Sequence, residues 1–161
     1  MNRFFAILLL WCSLEGAAQA MPPLVLPDLS GEAQTLETWR GRVLLLNFWA
    51  PWCVPCQAEI RHLIRWQEQY GKQGLQVIGV GLDDPRSLGN AVRTLGIPYP
   101  VLVADPEDQK RLLARWGSPN GFIPYTVVIG ADGEIEHRYR GILDESIFSA
   151  LVLPLLQPAS P

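Results

Sequence analysis

The chain has 161 residues, 48% of them apolar and 18% charged, with a formal net charge of −3. That length and apolar share suit one domain with a buried core. The slight acidity, without any run of like charge, argues against a phosphate-binding surface, so nucleic acid is not an expected partner.

The first twenty residues read as a secretory signal. Arg3 supplies the positive start, residues 4–11 (FFAILLLW) a short apolar stretch, and Ala18-Gln19-Ala20 the small-x-small pattern ahead of Met21. The stretch is well short of the roughly 18 apolar residues that span a bilayer as a helix. Cleavage after Ala20 is therefore expected, leaving an exported domain over 21–161; an uncleaved membrane anchor is the alternative. Lipidation at Cys12 is disfavoured by the large Trp11 before it.

Residues 21–29 are rich in Pro and Leu and read as an extended lead-in, and 36–39 as a helical turn. Residues 43–48 (VLLLNF) form a continuous apolar run, the mark of a central strand covered on both faces. Ala50-Pro51-Trp52 ends it. A helix is expected from Cys53 to about Tyr70, stopped by Gly71. At about 100° per residue, Cys53, Cys56, Ile60, Leu63 and Ile64 share one face. Residues 75–81 read as a second buried strand. Asp84 and Pro85 open a helix over 85–95. A short strand follows at 101–103, a helix at 109–116, and a strand at 125–129. Asp132-Gly133 marks a hairpin turn to a partner strand at 135–140. A helix over 144–152 closes the domain, and a loose tail is expected from Pro154. Strands alternating with helices imply a parallel core by right-handed crossovers, and the hairpin adds antiparallel strands. The fold class is α/β, a mixed sheet with helices on both faces.

Cleavage would leave Cys53 and Cys56 as the only cysteines. A disulfide closing so short a loop restrains the unfolded chain little, so stability is a poor reason for the pair. The motif Trp52-Cys53-Val54-Pro55-Cys56 follows a strand and opens a helix. There the unpaired N–H groups and the positive end of the helix dipole favour a thiolate, the form that attacks disulfides. Such settings lower a cysteine pKa from ~8.5 to roughly 3.5–7.5. Cys53, outermost, is the candidate nucleophile. Cys56, one turn in, is the candidate resolving thiol. Zinc would need more ligands, and His62 and His137 are not at finger spacing. Inert core cysteines are the blander option. His62 is expected to be exposed and Trp49 to lie in the core.

The stretch from Gly41 through Phe48-Trp49-Ala50-Pro51-Trp52-Cys53-Val54-Pro55-Cys56-Gln57-Ala58-Glu59 resembles the thioredoxin-like thiol:disulfide reductases of the bacterial cell envelope. These are the TlpA/ResA branch, related to the cytochrome c maturation thioredoxins DsbE and CcmG. The resemblance runs over about residues 24–152. It implies a thioredoxin-like fold with an N-terminal extension and a central helix–strand insert at 85–104. It implies that Pro124 is cis and packs against the cysteine pair. Proline has no N–H, and its bend can leave the backbone of Ile123 free to pair with an extended substrate. It makes Glu59 the acid–base partner of Cys56 and Trp52 a shield and partner surface. Asn47 stands where thioredoxin has a buried aspartate, and an amide cannot carry a proton on and off. Ile60-Arg61 lacks the proline this branch often has there, which leaves the aim of Glu59 open.

The implied function is a periplasmic reductase of disulfides in exported proteins, apocytochrome c among them. A membrane donor of the DsbD or CcdA kind would supply its electrons. No cofactor beyond the Cys53–Cys56 disulfide is expected, and a monomer is the expected form. A non-catalytic binding module or holdase for thiol- or metal-bearing clients is the alternative from another class. Peroxidase chemistry ranks last. Peroxiredoxins carry Pro-x-x-x-Thr-x-x-Cys, and here Leu46 and Ala50 occupy the first two of those places.

Overall fold

The computed structural model describes residues 19–156. At its centre is β4 (Val43–Trp49), every residue of which is buried. β5 (Leu75–Gly81) runs parallel to β4 on one side, and β7 (Tyr125–Ile129) antiparallel on the other. Outside these lie β6 (Val101–Val103), parallel to β5, and β8 (Glu134–Arg140), antiparallel to β7. The two-residue strand β1 (Gln19–Ala20) pairs with β8, giving the order β1-β8-β7-β4-β5-β6. A separate hairpin, β2 (Val25–Pro27) with β3 (Ala33–Thr35), is joined to β6 by a bridge between Asp28 and Leu102.

Four α-helices are present among the described residues: α1 (Val54–Tyr70), α2 (Pro85–Leu95), α3 (Gln109–Arg115) and α4 (Glu145–Leu151). Successive strand residues point to opposite faces of a sheet. Asn47 reaches Glu59 of α1, whereas Phe48 packs on Trp116, just after α3, with ring centroids 6.2 Å apart. α1 and α3 therefore cover opposite faces, as the expected two-sided mixed sheet requires. α4 lies beside α1, where Phe148 stacks on Trp66 at 4.0 Å between centroids. Local chemistry sets the insert. The Asp84 carboxylate accepts from the N–H groups of Arg86 and Ser87, capping α2. A Cβ on Gly81 would stand 2.3 Å from Leu88, so only glycine lets α2 come this close to β5.

Several boundaries depart from the sequence expectation. The extended lead-in is in part the hairpin β2–β3, whose three-residue strands are too short to show a period. α1 begins at Val54, with Cys53 as its N-cap, and α3 ends at Arg115 with Trp116 fully buried beyond it. The tail expected from Pro154 starts in order: Leu153–Leu155 form a 3-10 turn, and Leu155 and Leu156 pack on the core. His62, expected in solvent, is half-buried, its ring edge-on to Trp66 at 5.6 Å. The expected signal sequence falls largely outside the described residues, as do the last five of the chain. Gln19 and Ala20, at its end, form β1. No helix among the described residues is long and apolar enough to cross a membrane.

Truncating the α1–α4 contact tests this packing. Phe148→Ala removes a buried, stacked ring and should cost about 3–5 kcal/mol. A fall in urea midpoint at unchanged slope would show it.

Candidate active site

β4 delivers the chain to the site. After Trp49, the Cys53 N–H donates to the Ala50 carbonyl at 3.1 Å, and the Gln57 side chain donates to the Pro51 carbonyl at 2.6 Å. These bonds turn the chain sharply from strand into helix. Cys53 then caps α1 through sulfur: the Cys56 N–H donates to Cys53 Sγ at 3.3 Å. The cysteines form a disulfide with Cα atoms 5.3 Å apart. Both are buried, Cys56 completely. On reduction, the first turn of α1 would present its N–H groups to Cys53 sulfur, a setting that lowers a thiol pKa.

The Ile123–Pro124 bond is cis. β7 pairs Tyr125 with Phe48, so Pro124 sits at the same end of the sheet as the Trp52–Cys56 corner. Pro124 is buried and its carbonyl accepts from the Gly141 N–H at 2.9 Å. No backbone hydrogen bond involves Ile123 among the described residues. Trp52 (68% exposed) and Val54 (73%) flank Cys53, and Phe122 (59%) precedes Ile123. Ile142 (40%) lies between Gly141, bonded to Pro124, and Leu143, bonded to Glu59. Of the five exposed large apolar side chains among the described residues, four thus stand at this end; Val25 is the other. Such a patch marks an interaction surface.

Glu59 lies one turn beyond Cys56 on the inner face of α1 and is fully buried. Its Oε1 accepts from the Leu143 N–H at 2.8 Å, and its Oε2 from Asn47 Nδ2 at 2.7 Å. Burial pushes its pKa up to about 7 against the pull of those two hydrogen bonds. Without the proline after it, Glu59 turns its oxygens to Asn47 and Leu143. Sequence reasoning missed three neighbours. Thr126 shares the Asn47 amide at 3.0 Å, Leu143 supplies its N–H, and the buried Tyr99 feels the Glu59 charge. Thr126 follows from strand register, but Leu143 and Tyr99 come from loops that carry no local signal. Among the described residues no cluster of three or more His, Cys, Asp or Glu side chains could hold a metal ion.

A disulfide at the N-terminus of a helix, with a cis-proline at the same end of a mixed sheet, defines a thiol–disulfide oxidoreductase on a thioredoxin-like frame. The chain belongs to the AhpC/TSA family, whose model matches residues 17–138. It is 31% identical to the thiol-disulfide oxidoreductase ResA of Geobacillus kaustophilus, over 76% of this chain and 68% of that protein. Protein DipZ of Mycobacterium bovis is 32% identical over 93% of this chain, which spans only 23% of DipZ. Among solved structures, a thioredoxin-family thiol:disulfide interchange protein from Chlorobium tepidum has the same fold, with a TM-score of 0.74. That match is 24% identical and covers 86% of this chain and 96% of the other.

The raised pKa of Glu59 has a consequence for stability. An unfolded carboxyl titrates near 4.5, the folded one at about 7. Below both values the group contributes no pH dependence. As pH climbs from 4.5 to 7 the unfolded chain gives up a proton that the folded chain keeps, so stability falls across that window. The oxidised Glu59→Gln variant should therefore gain on the parent by on the order of 3 kcal/mol between those pH values. Urea midpoints at the two ends measure it; a pH-independent gap would mean that Glu59 titrates normally.

Proposed function

We propose that this chain is a periplasmic reductase that passes electrons to disulfides in exported proteins. The observation that carries the reading is Cys53 Sγ at the N-terminus of α1, with the carboxyl of Glu59 buried one turn behind Cys56. In the reduced protein the Cys53 thiolate attacks one sulfur of a client disulfide. A mixed disulfide forms, and the other client sulfur leaves as a thiolate. Glu59 takes the proton of Cys56, whose thiolate then attacks Cys53 Sγ. The Cys53–Cys56 disulfide forms and the second client sulfur leaves. The client ends reduced by two electrons and this protein oxidised by two. The disulfide is the only redox group this sequence of steps needs.

The apolar rim of Trp52, Val54, Phe122 and Ile142 suits a polypeptide client. The free backbone of Ile123 suits one that docks as an extended strand beside Cys53. The signal-like N-terminus supports export, and an oxidising periplasm then demands a supply of electrons. A membrane donor of the DsbD or CcdA type fits that demand, and apocytochrome c is the client to test first.

Two measurements check the reading. The midpoint potential of the Cys53/Cys56 pair should fall towards the reducing end of the range from roughly −270 to −120 mV. A value near the oxidising end would reverse the direction of electron flow. The Cys56→Ser variant should accumulate mixed disulfides through Cys53, since nothing can resolve them. Full biological activity in Cys53→Ser would instead favour a non-catalytic binding module.

A further inference from the structure

Asn47 is completely buried on β4, and its amide is only half used. Nδ2 donates to Glu59 Oε2 at 2.7 Å and to Thr126 Oγ1 at 3.0 Å. Oδ1 is buried with no hydrogen-bond partner. The other oxygen of Glu59, Oε1, accepts from the Leu143 N–H at 2.8 Å. Both carboxylate oxygens therefore accept, which is the pattern of the ionised form.

A protonated Glu59 must donate from one of them. Oε1 faces a backbone N–H, which can only donate, so the proton belongs on Oε2. There it would collide with Nδ2, another donor. A half-turn of the Asn47 amide exchanges Nδ2 for the idle Oδ1, and Oε2–H then donates to Oδ1. The Thr126 hydroxyl both donates and accepts, so it can follow the turn. Each arrangement makes two hydrogen bonds at the inner amide atom and leaves the outer atom idle. The two orientations are near-equal in shape, which is why amides of this kind are told apart only by their hydrogen bonds.

We propose that Asn47 is the positioning residue that holds Glu59 in both protonation states, turning its amide over when the proton arrives from Cys56. This rests on the reading of Glu59 as the proton acceptor of Cys56. In that step the S–H bond of Cys56 breaks and an O–H bond forms at Glu59 Oε2. The electron pair stays on sulfur, and one negative charge passes from carboxylate to thiolate. A hydrocarbon at position 47 could serve neither state, since it can neither donate nor accept, and an acidic residue could serve the ionised state only by holding a proton itself. Among the described residues Asn47 is the side chain hydrogen-bonded to Glu59, while the buried Tyr99 hydroxyl makes no hydrogen bond. From β4 and β7 Glu59 meets only the neutral Asn47 and, through it, Thr126. The segment before α4 offers a backbone N–H, while the exposed Asp144 turns to cap α4 through the Ile147 N–H. Ahead of β6, the Tyr99 phenol is itself pushed up, first by burial and then by the Glu59 charge, so it stays neutral. On α1 Cys56 stands one turn before Glu59.

The test is a titration of the reduced protein by NMR. The sequence has four asparagines, at positions 2, 47, 90 and 120, so labelled side-chain amides give a sparse spectrum. Asn47 amide shifts and the Glu59 carboxyl carbon should titrate together, with one midpoint, between about pH 5 and pH 9. The Asn47 shift should vanish in Glu59→Gln. In Asn47→Leu the Glu59 midpoint should rise by about one unit or more, because the ionised form loses a charge-assisted bond. Flat Asn47 resonances beside a titrating Glu59 would overturn the proposal, as would an unmoved midpoint in Asn47→Leu. If that variant does not fold, the parent titration decides alone. A Glu59→Gln variant with an unchanged pH–rate profile would strip Glu59 of its proton role, yet leave the Asn47 titration standing.

Discussion

A carboxylate with no water around it must be hydrogen-bonded or surrender its charge. The reactive end of this protein is arranged about one such group. Glu59 joins α1 to β4 through Asn47, and α1 to the chain ahead of α4 through Leu143. Two residues before Leu143, Gly141 donates to the carbonyl of Pro124. One short chain of hydrogen bonds therefore holds the helix that carries the cysteines, the strand that delivers them and the loop beside them. Removing the carboxylate from water raises its pKa, and the two donors limit the rise. The same contacts that fasten the elements together set the proton affinity of the group behind Cys56.

Most of the frame was legible because its elements obey one strong rule each. The run at 43–48 has no polar break except Asn47, and only a strand buried on both faces tolerates such a run at that length. The start of α2 could be fixed to the residue, since Asp84 and Pro85 are independent signals of a helix N-terminus. The strand pairing of the N-terminal extension was not legible. β1, β2 and β3 are two or three residues long, and their pairing is decided by partners distant in sequence, Glu134 and Ile135 for β1. No local pattern encodes that choice. His62 shows the opposite failure. Its helical position said surface, but the Trp66–Phe148 stack beside it creates a flank that covers half of the ring.

At the site, sequence reached the covalent chemistry and stopped at the environment. Cys53, Cys56 and Pro124 lie in short motifs whose geometry is local. Whether Glu59 is buried depends on α4 and on the segment before it, more than eighty residues away in the chain. Asn47 was read as a lost aspartate, a position that gives up proton chemistry. The amide carries no proton, but it holds the carboxyl that can, with Nδ2 donating to Glu59 Oε2.

The distribution of charge then separates two tasks. The exposed rim of Trp52, Val54, Phe122 and Ile142 is apolar, so burial of that surface would draw on the hydrophobic effect, which salt screens little. The titrating carboxyl is kept inside, behind Cys56, where screening is also weak and where, among the described residues, a neutral amide and a backbone N–H are its hydrogen-bond partners. Ionic strength therefore has little purchase on the buried carboxyl. A rim built from carboxylates would have merged the two, making recognition and thiol reactivity titrate together. Burying Glu59 against Asn47 thus places the titrating carboxyl behind Cys56 and away from the exposed apolar rim.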